Sequence, residues 1–309
     1  MTDAAQPRPK VSIIILHFKD VPCLRACLES LEKITYTNHE VIVVNNGPDE
    51  LTAVEEREVR ILRSLSNVGF ARGNNSGIMA ALQDRADYVL LLNDDTVVRP
   101  DFLDLLVDAG ESDPDAGMLG PMICYFDEPQ RIWFAGAAFD ESTARLSFAR
   151  ADEVDDGKSD AKPEESDFIT GCALLVKRAL IERVGLLDER YFLYWEDVDW
   201  GLRAKESGYK CIVVPAAKIL HKVSRSTGGQ DSALRSYHKT RSHLLLAGTH
   251  APRAKRQVLA GFARDIAWLL VKSSGPGRGK KARAYLAAMI DHYLGRTGEG
   301  PRWLWTDDA

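Results

Sequence analysis

Three carboxylates, Glu196, Asp197 and Asp199, fall within four positions directly after four aromatic rings, Tyr191, Phe192, Tyr194 and Trp195. Acids in the first turn of a helix meet the positive end of its dipole, and Gly208 would end such a helix about three turns later. Capping needs one acid, not three, and it needs no aromatic wall. A carboxylate beside aromatic faces sits in a partly dry pocket that raises its proton affinity, and flat rings suit stacking against a sugar-like ligand. The helix N-terminus pulls the other way, so the shift need not be large. The chemistry on offer is general base catalysis, felt late, as an attacking hydroxyl loses its proton.

Two further stretches carry donor groups. Residues 90–98, LLLNDDTVV, run from three leucines into Asn93, Asp94 and Asp95, with no Gly or Pro before Pro100. This is either a strand end meeting water, with Asp95 or Thr96 capping a turn, or a rigidly held carboxylate for a hard divalent cation shared with a diphosphate. His221 ends another apolar run, AAKILH. A lone histidine after a strand is usually an ordinary surface or core residue. As a ligand it would add nitrogen to oxygen donors, a mixture suiting Mn²⁺ at least as well as Mg²⁺. Residues 65–77, LSNVGFARGNNSG, lack both the GK[ST] ending of a phosphate loop and the GxGxxG pattern. They read either as a Gly/Asn turn with an Asn-capped helix or as a loop whose backbone approaches a ligand while Arg72 and Asn amides contact its phosphates.

The scaffold must bring these segments together. VSIIIL and EVIVVN are short β-branched runs with the helical VPCLRACLESLEKI between them. VRILRSL is a weaker strand, NNSGIMAALQDR a helix and YVLLLNDD a third strong strand. Near-continuous apolar strands alternating with helices predict an α/β fold with a doubly wound, mostly parallel sheet, whose ligands bind beyond the carboxyl ends of the strands. The polar residues there are His17, Asn45, Asn46, Asn93, Asp94 and Asp95. Residues 150–167, acidic and punctuated by Gly and Pro, read as a mobile surface loop, because strand and helix patterns resume at once in FITGCALLVKRALIERVG. After about residue 230, apolar residues recur at helical spacing from Val258 to Leu270 and from Ala282 to Leu294, giving two amphipathic helices separated by SSGPGRG. The expected division is a catalytic domain over 1–230 and a basic helical extension over 231–309.

Composition narrows the class. With 309 residues, 45% hydrophobic and 28% charged, the chain is an ordinary globular protein. MTDAAQPRPK is not a secretory signal, and no run approaches the ~20 apolar residues of a membrane span. Five scattered cysteines without a CxxC pair read as free thiols in a reducing cytoplasm. The net charge of −5 is uneven: from residue 231 onward fourteen Lys and Arg face six Asp and Glu, a balance of +8, leaving −13 on the rest. Basic charge away from the motif-bearing body argues against nucleic acid as a partner. It suits helices that lie peripherally on anionic lipid at the inner face of the cytoplasmic membrane, or that pack on the body or pair in a homodimer.

Taken together, VSIIILHFKD with EVIVVNNGPD, NVGFARGNNSG, LLLNDDT, and the run from FITGCALLVKRALIERVG through YFLYWEDVDWGLRAKESG to PAAKILHK resemble the family-2 glycosyltransferases. These are inverting enzymes of the GT-A fold, and the likeness is to the rhamnosyltransferase-like branch, over roughly residues 11–225. The resemblance implies that Asn93, Asp94 and Asp95 form the family's DxD element, with Asp95 on an Mn²⁺ or Mg²⁺ ion bridging a donor diphosphate, Asn93 near the ribose or the metal's water, and His221 as a further metal ligand. It makes Asp197 the catalytic base, Glu196 an orienting group and Asp199 the rival base. His17, Asn45, Asn46, Arg72, Asn75, Asn93 and Asp94 would contact the nucleotide-sugar, and Gly171, Cys172 and Trp195 the acceptor. Asn45 departs from the aspartate usual at its position, but an amide oxygen can accept the same bond from a pyrimidine imide. The implied donor is a nucleotide-diphospho-sugar, dTDP-rhamnose first, and the acceptor a glycan or lipid-linked glycan in bacterial surface polysaccharide synthesis. A UDP-sugar-dependent galactosyl-, glucosyl- or N-acetylglucosaminyltransferase is the alternative within the class. A non-catalytic nucleotide- or glycan-binding module of the same fold is the alternative outside it.

Overall fold

The computed structural model describes residues 8–55, 57–155, 157, 162–223, 232–271 and 277–305. The first half alternates as expected: β1 (Val11–His17), α1 (Val21–Leu31), β2 (His39–Asn45), the single turn α2 (Thr52–Glu55), β3 (Arg60–Arg63), α3 (Phe70–Gln83), β4 (Tyr88–Asn93), β5 (Thr96–Val98), α4 (Phe102–Ser112) and β6 (Ala116–Tyr125). The chain continues through β7 (Ile132–Phe134), β8 (Ala137–Asp140), β9 (Arg145–Phe148), β10 (Glu164–Ser166), β11 (Ala173–Lys177), α5 (Arg178–Val184), α6 (Glu196–Glu206) and β12 (Lys210–His221). It ends in α7 (Ala233–His250), α8 (Lys255–Val271), α9 (Arg278–Tyr293) and a 3₁₀ turn, Arg302–Leu304.

One sheet runs in the order β10-β12-β6-β11-β4-β1-β2-β3. Strands β4, β1, β2 and β3 are parallel, as are β6 and β12, while β11 inserts antiparallel between β4 and β6. Ile13, Ile14 and Ile15 of β1 are completely buried, as are Ile42 and Val43 of β2 and Leu90 of β4. That two-sided burial explains why these strands read as unbroken apolar runs. From β1 the chain crosses to β2 on one side and later returns through β4 on the other, so the switch point falls at the carboxyl ends of β1 and β4, where such sheets open a ligand crevice.

Two expectations change. Within 150–167, Glu164–Ser166 pairs as edge strand β10 with β12, and Val154 bridges Arg131; residues 156 and 158–161 lie outside the described residues. After residue 230 the described residues form three α-helices where two were expected. Helix α7 carries no clean apolar stripe because its buried face includes Ser236, His238, Thr240, Arg241 and Ser242, so periodicity in hydrophobicity cannot announce it. Leu244, Leu246 and Ala247 of this helix join the main core that contains the sheet.

Candidate active site

The turn between β4 and β5 holds Asp94 and Asp95, and β5 pairs antiparallel with the end of β12, matching Thr96 to His221. That pairing, reinforced by Lys222 N–H donating to the Asp95 carbonyl at 3.0 Å, brings Asp95 and His221 together. The Asp95 Oδ1 atom lies 3.1 Å from His221 Nε2, yet it is buried without a hydrogen-bond partner, as is His221 Nδ1. Trp133 closes over the imidazole edge-on at 4.5 Å between ring centroids. Burial disfavours the charged imidazole, but neighbouring Cys172 and Asp95 outweigh it and raise its pKa. An orphaned buried carboxylate oxygen facing a buried imidazole is a donor pair that fits a divalent cation better than a plain ion pair. Among the described residues no group of three or more His, Cys, Asp or Glu gathers to hold a metal.

Asp94 turns the other way and meets His17 Nδ1 at 2.7 Å, while His17 Nε2 lies 3.2 Å from Asp49. Burial opposes the imidazolium of His17, but these two carboxylates raise its pKa; burial likewise raises that of Asp94, against the pull of His17. His17 is thus a buried prop beneath the turn.

The acidic segment enters through a strained backbone. Tyr194 and Trp195 both have positive φ, 67° and 74°, a conformation that L-residues hold only when their surroundings fix it. Trp195 is fixed by stacking on His243 of α7, with centroids 4.3 Å apart and planes 9° apart. Helix α6 then starts at Glu196. Asp197 Oδ2 accepts the Gly171 N–H and Oδ1 its neighbour Val198 N–H, each at 2.9 Å. Burial raises the proton affinity of Asp197, and these N–H groups restrain it. Glu196 is buried with Oε2 unpartnered, and burial followed by the Asp197 charge drives its pKa well up. A cleft of about 560 Å³ is lined by Asp94, Asp95, His221, Gly171, Cys172, Trp195, Glu196 and Asp197 together, with Asn46 and Asn93 beside them.

Other candidate residues face elsewhere. Asp199 is buried away from this cleft, accepting from Arg203 Nε at 2.8 Å and lying 2.9 Å from His250 Nε2. Asn75 spends its amide on the Leu187 backbone and Glu189, and Arg72 is exposed beside Glu189. Asn45 is folded into its own turn, donating to the Asp49 carbonyl and accepting from Gly47 N–H. Asn46 lines the cleft and also holds the glycine-rich loop: its Oδ1 accepts Val68 N–H, and its Nδ2 donates to Asn67 and the Gly69 carbonyl. Of the four aromatic residues, Phe192, Tyr194 and Trp195 line the cleft, whereas Tyr191 is wholly buried in the core. The sequence reading missed Phe18, Trp133, Arg235, Lys239 and Trp305, which also line it. Phe18 directly follows the β1 polar end and was within reach; the others sit in segments with no chemical signature.

The family model for glycosyl transferase family 2 matches residues 12–185, more than half of the chain. An N-acetylglucosaminyl-diphospho-decaprenol L-rhamnosyltransferase from Mycobacterium tuberculosis is 30% identical over 289 residues, covering 85% of this chain and 93% of the relative. A dTDP-rhamnosyl transferase, RfbF, from Shigella flexneri is 23% identical over 94% of this chain and 97% of its own. Among solved structures, GalNAc-T7 with UDP, GalNAc and Mn²⁺ aligns at a TM-score of 0.60 and 14% identity, over 97% of this chain and 56% of that one. The mannosyltransferase PcManGT from Pyrobaculum calidifontis, with GDP-Man and Mn²⁺, aligns at 0.57 and 14%, over 93% and 88%. The fold is GT-A, and the chain belongs to glycosyl transferase family 2 as a rhamnosyltransferase-like glycosyltransferase.

Proposed function

We propose that the cleft moves a sugar, with inversion, from a nucleotide-diphosphate donor to a hydroxyl of a glycan or lipid-linked acceptor, in bacterial surface polysaccharide synthesis. The donor favoured is dTDP-rhamnose, because rhamnosyl transfer is named for two relatives that match along nearly their whole length. The observation that carries the reading is the presence in one cleft of the orphaned Asp95–His221 pair and the buried, backbone-held Asp197. Asp95 and His221 would hold Mn²⁺ or Mg²⁺. When bound, the cation would supply Lewis-acid neutralisation of the departing diphosphate.

The chain's own residues do the rest. Asp197 is dry enough to be basic, and two N–H groups keep it oriented and able to bear charge, so it takes the acceptor's proton as the new glycosidic bond forms. A base acting on the face opposite the leaving group gives inversion in a single displacement, by analogy with inverting hydrolases. Glu196, pushed toward its neutral form, orients the acceptor without adding a second anion. Phe192, Tyr194 and Trp195 supply sugar-stacking surface.

The test is a panel of dTDP- and UDP-sugars with Mn²⁺, reading nucleoside diphosphate release, in wild type and Asp197→Asn. Wild type should turn over dTDP-rhamnose best. Asp197→Asn should bind nucleotide normally and lose transfer about 10²–10⁴-fold. Preference for a UDP-sugar would favour the galactosyl, glucosyl or N-acetylglucosaminyl alternative. Nucleotide binding without turnover in either protein would leave a nucleotide-binding module, and equal turnover in both would remove Asp197 as the base.

A further inference from the structure

The C-terminal end of the described chain returns to this cleft. The 3₁₀ turn Arg302–Leu304 is anchored by Leu304, which is buried against Tyr237 of α7 and Ala284 and Ala288 of α9. The next residue, Trp305, donates its indole N–H to the Glu299 carbonyl at 2.9 Å. Its one polar handle is therefore satisfied by the segment just before the turn, and the ring is left partly exposed as a wall of the cleft. The ring also packs against the cluster around Leu304 and meets His238 at 6.3 Å between centroids, so it is held rigidly while its remaining surface faces the cleft.

The place of this ring is informative. It meets Phe18 at 6.1 Å between centroids with planes 69° apart, and Phe192 at 6.3 Å and 77°. Phe192 is backed by His238, stacked at 4.9 Å. Phe18 follows the end of β1 and Asn46 the end of β2, and both strands lie beyond β4 from β12, which carries His221. The aromatic corner thus occupies the end of the cleft away from the Asp95–His221 pair. A flat heterocycle stacked on one ring of such a corner meets the edge of the other, the arrangement aromatic quadrupoles favour.

We propose that Trp305 binds the base of the nucleotide donor, so that the C-terminal turn, and not only the strand ends, builds the donor site. This rests on the nucleotide-sugar reading above. It requires the diphosphate to lie toward Asp95 and His221 with the base extending toward Phe18 and Trp305.

The experiment uses the full chain as wild type, Trp305→Ala, Trp305→Leu and Trp305→Phe, titrated calorimetrically with dTDP, UDP and inorganic diphosphate, all with Mn²⁺, alongside thermal melts. Alanine and leucine should weaken nucleoside diphosphate binding about tenfold or more, the size of one lost base–aromatic stack, while phenylalanine stays within about threefold of wild type. Inorganic diphosphate, which has no base, should bind all four proteins alike. The Leu/Phe pair keeps the test decisive should alanine disturb the turn, since both fill the space and only one presents a ring. Wild-type binding with no loss in the alanine and leucine variants, or an equal loss for inorganic diphosphate, overturns this proposal alone. A wild type that binds no nucleoside diphosphate overturns the proposed function and this inference with it.

Discussion

Asp197 and Asp199 stand two residues apart on α6, and their surroundings assign them different work. Asp199 is 2% exposed and is held by Arg203 and His250, so it serves as the hub of a buried ion pair. Replacing it with asparagine should cost about 1–3 kcal/mol, because the Arg203 guanidinium and the His250 imidazole lose their charged partner. It should leave transfer by the folded enzyme near wild type, in contrast to Asp197→Asn. The pH dependence carries a definite sign. Burial lowers the pKa of His250, but Asp199 and then Glu206 outweigh it and raise it above the free value. A raised histidine pKa contributes stability that is fully present below about pH 6.5 and is lost as pH rises through the folded-state value. The difference in urea midpoint between wild type and Asp199→Asn should therefore be largest on the acidic side of neutrality and shrink above it. A difference that grows with pH would contradict this assignment. In the cleft itself, chelation should abolish transfer and Mn²⁺ restore it. His221→Ala should raise the Mn²⁺ needed for half-maximal rate by no less than the about 10–100-fold that losing even an outer partner costs.

Among the elements, the glycine-rich loop and the acidic segment behave as one unit. Phe70 N–H, at the start of α3, donates to the Phe192 carbonyl at 2.7 Å, and Gly69 lets the strands of chain close. Gly69 has φ +87°, and a Cβ there would lie 2.5 Å from that carbonyl oxygen and 2.7 Å from the Phe192 ring. Gly69→Ala should thus destabilise by about 1–3 kcal/mol through the strained backbone alone and also displace Phe192. A lowered melting temperature with weakened donor binding would show it, and an unchanged donor KM would argue that the contact does not shape the site. This coupling also marks how far the sequence could be read. Strands with two buried faces announced themselves as apolar runs, and Asp95, Asp197 and His221 stood out because polar groups ended those runs or crowded beside rings. Orientation was another matter. Asp199 looks like Asp197 in one dimension, and only the helix turn separates the one facing the cleft from the one facing Arg203. Asn75 looks like a ligand-contacting amide until Leu187 is seen to take both sides of it. Residues 101–149 gave no motif, yet Trp133 from that stretch covers His221. Helix α7 was hidden because tertiary contacts, and not apolar periodicity, bury its polar face.

For the whole molecule, the question is what the three C-terminal α-helices do, since only α7 among them lines the cleft. They are tied to the body, where Ser242 donates to the Leu193 carbonyl at 3.1 Å, and to each other: Tyr237 donates to Asp291 at 2.7 Å, and Arg241 to the Gly298 carbonyl at 2.7 Å. Phe262 of α8 meets Tyr285 of α9 at 5.7 Å between centroids. What faces outward is unusually apolar. Trp268, Leu270 and Val271 on α8 are 56%, 61% and 79% exposed, and Leu286, Ile290 and Tyr293 on α9 are 51%, 47% and 61% exposed. Among the described residues no helix is long and apolar enough to cross a membrane. Apolar side chains on helices of a region carrying a +8 balance suit insertion to headgroup depth in an anionic bilayer, where each basic residue adds about 1 kcal/mol. Such attachment would bring a lipid-linked acceptor to the cleft. Deleting the chain from α8 onward would be a poor test, because it would strip Tyr237 and Arg241 of α7 of their partners and remove Trp305. Charge placed on the apolar face is the cleaner change: Trp268→Glu with Leu286→Glu should leave the melting temperature nearly unchanged, since neither side chain is buried. It should also release the protein from phosphatidylglycerol-containing vesicles in a sedimentation assay, whereas wild type should bind at low salt and come off at high salt. If wild type instead ignores vesicles and the double substitution converts a dimer to a monomer by light scattering, the same face is a subunit interface, and the acceptor must then reach Asp197 without the protein's help in holding the membrane.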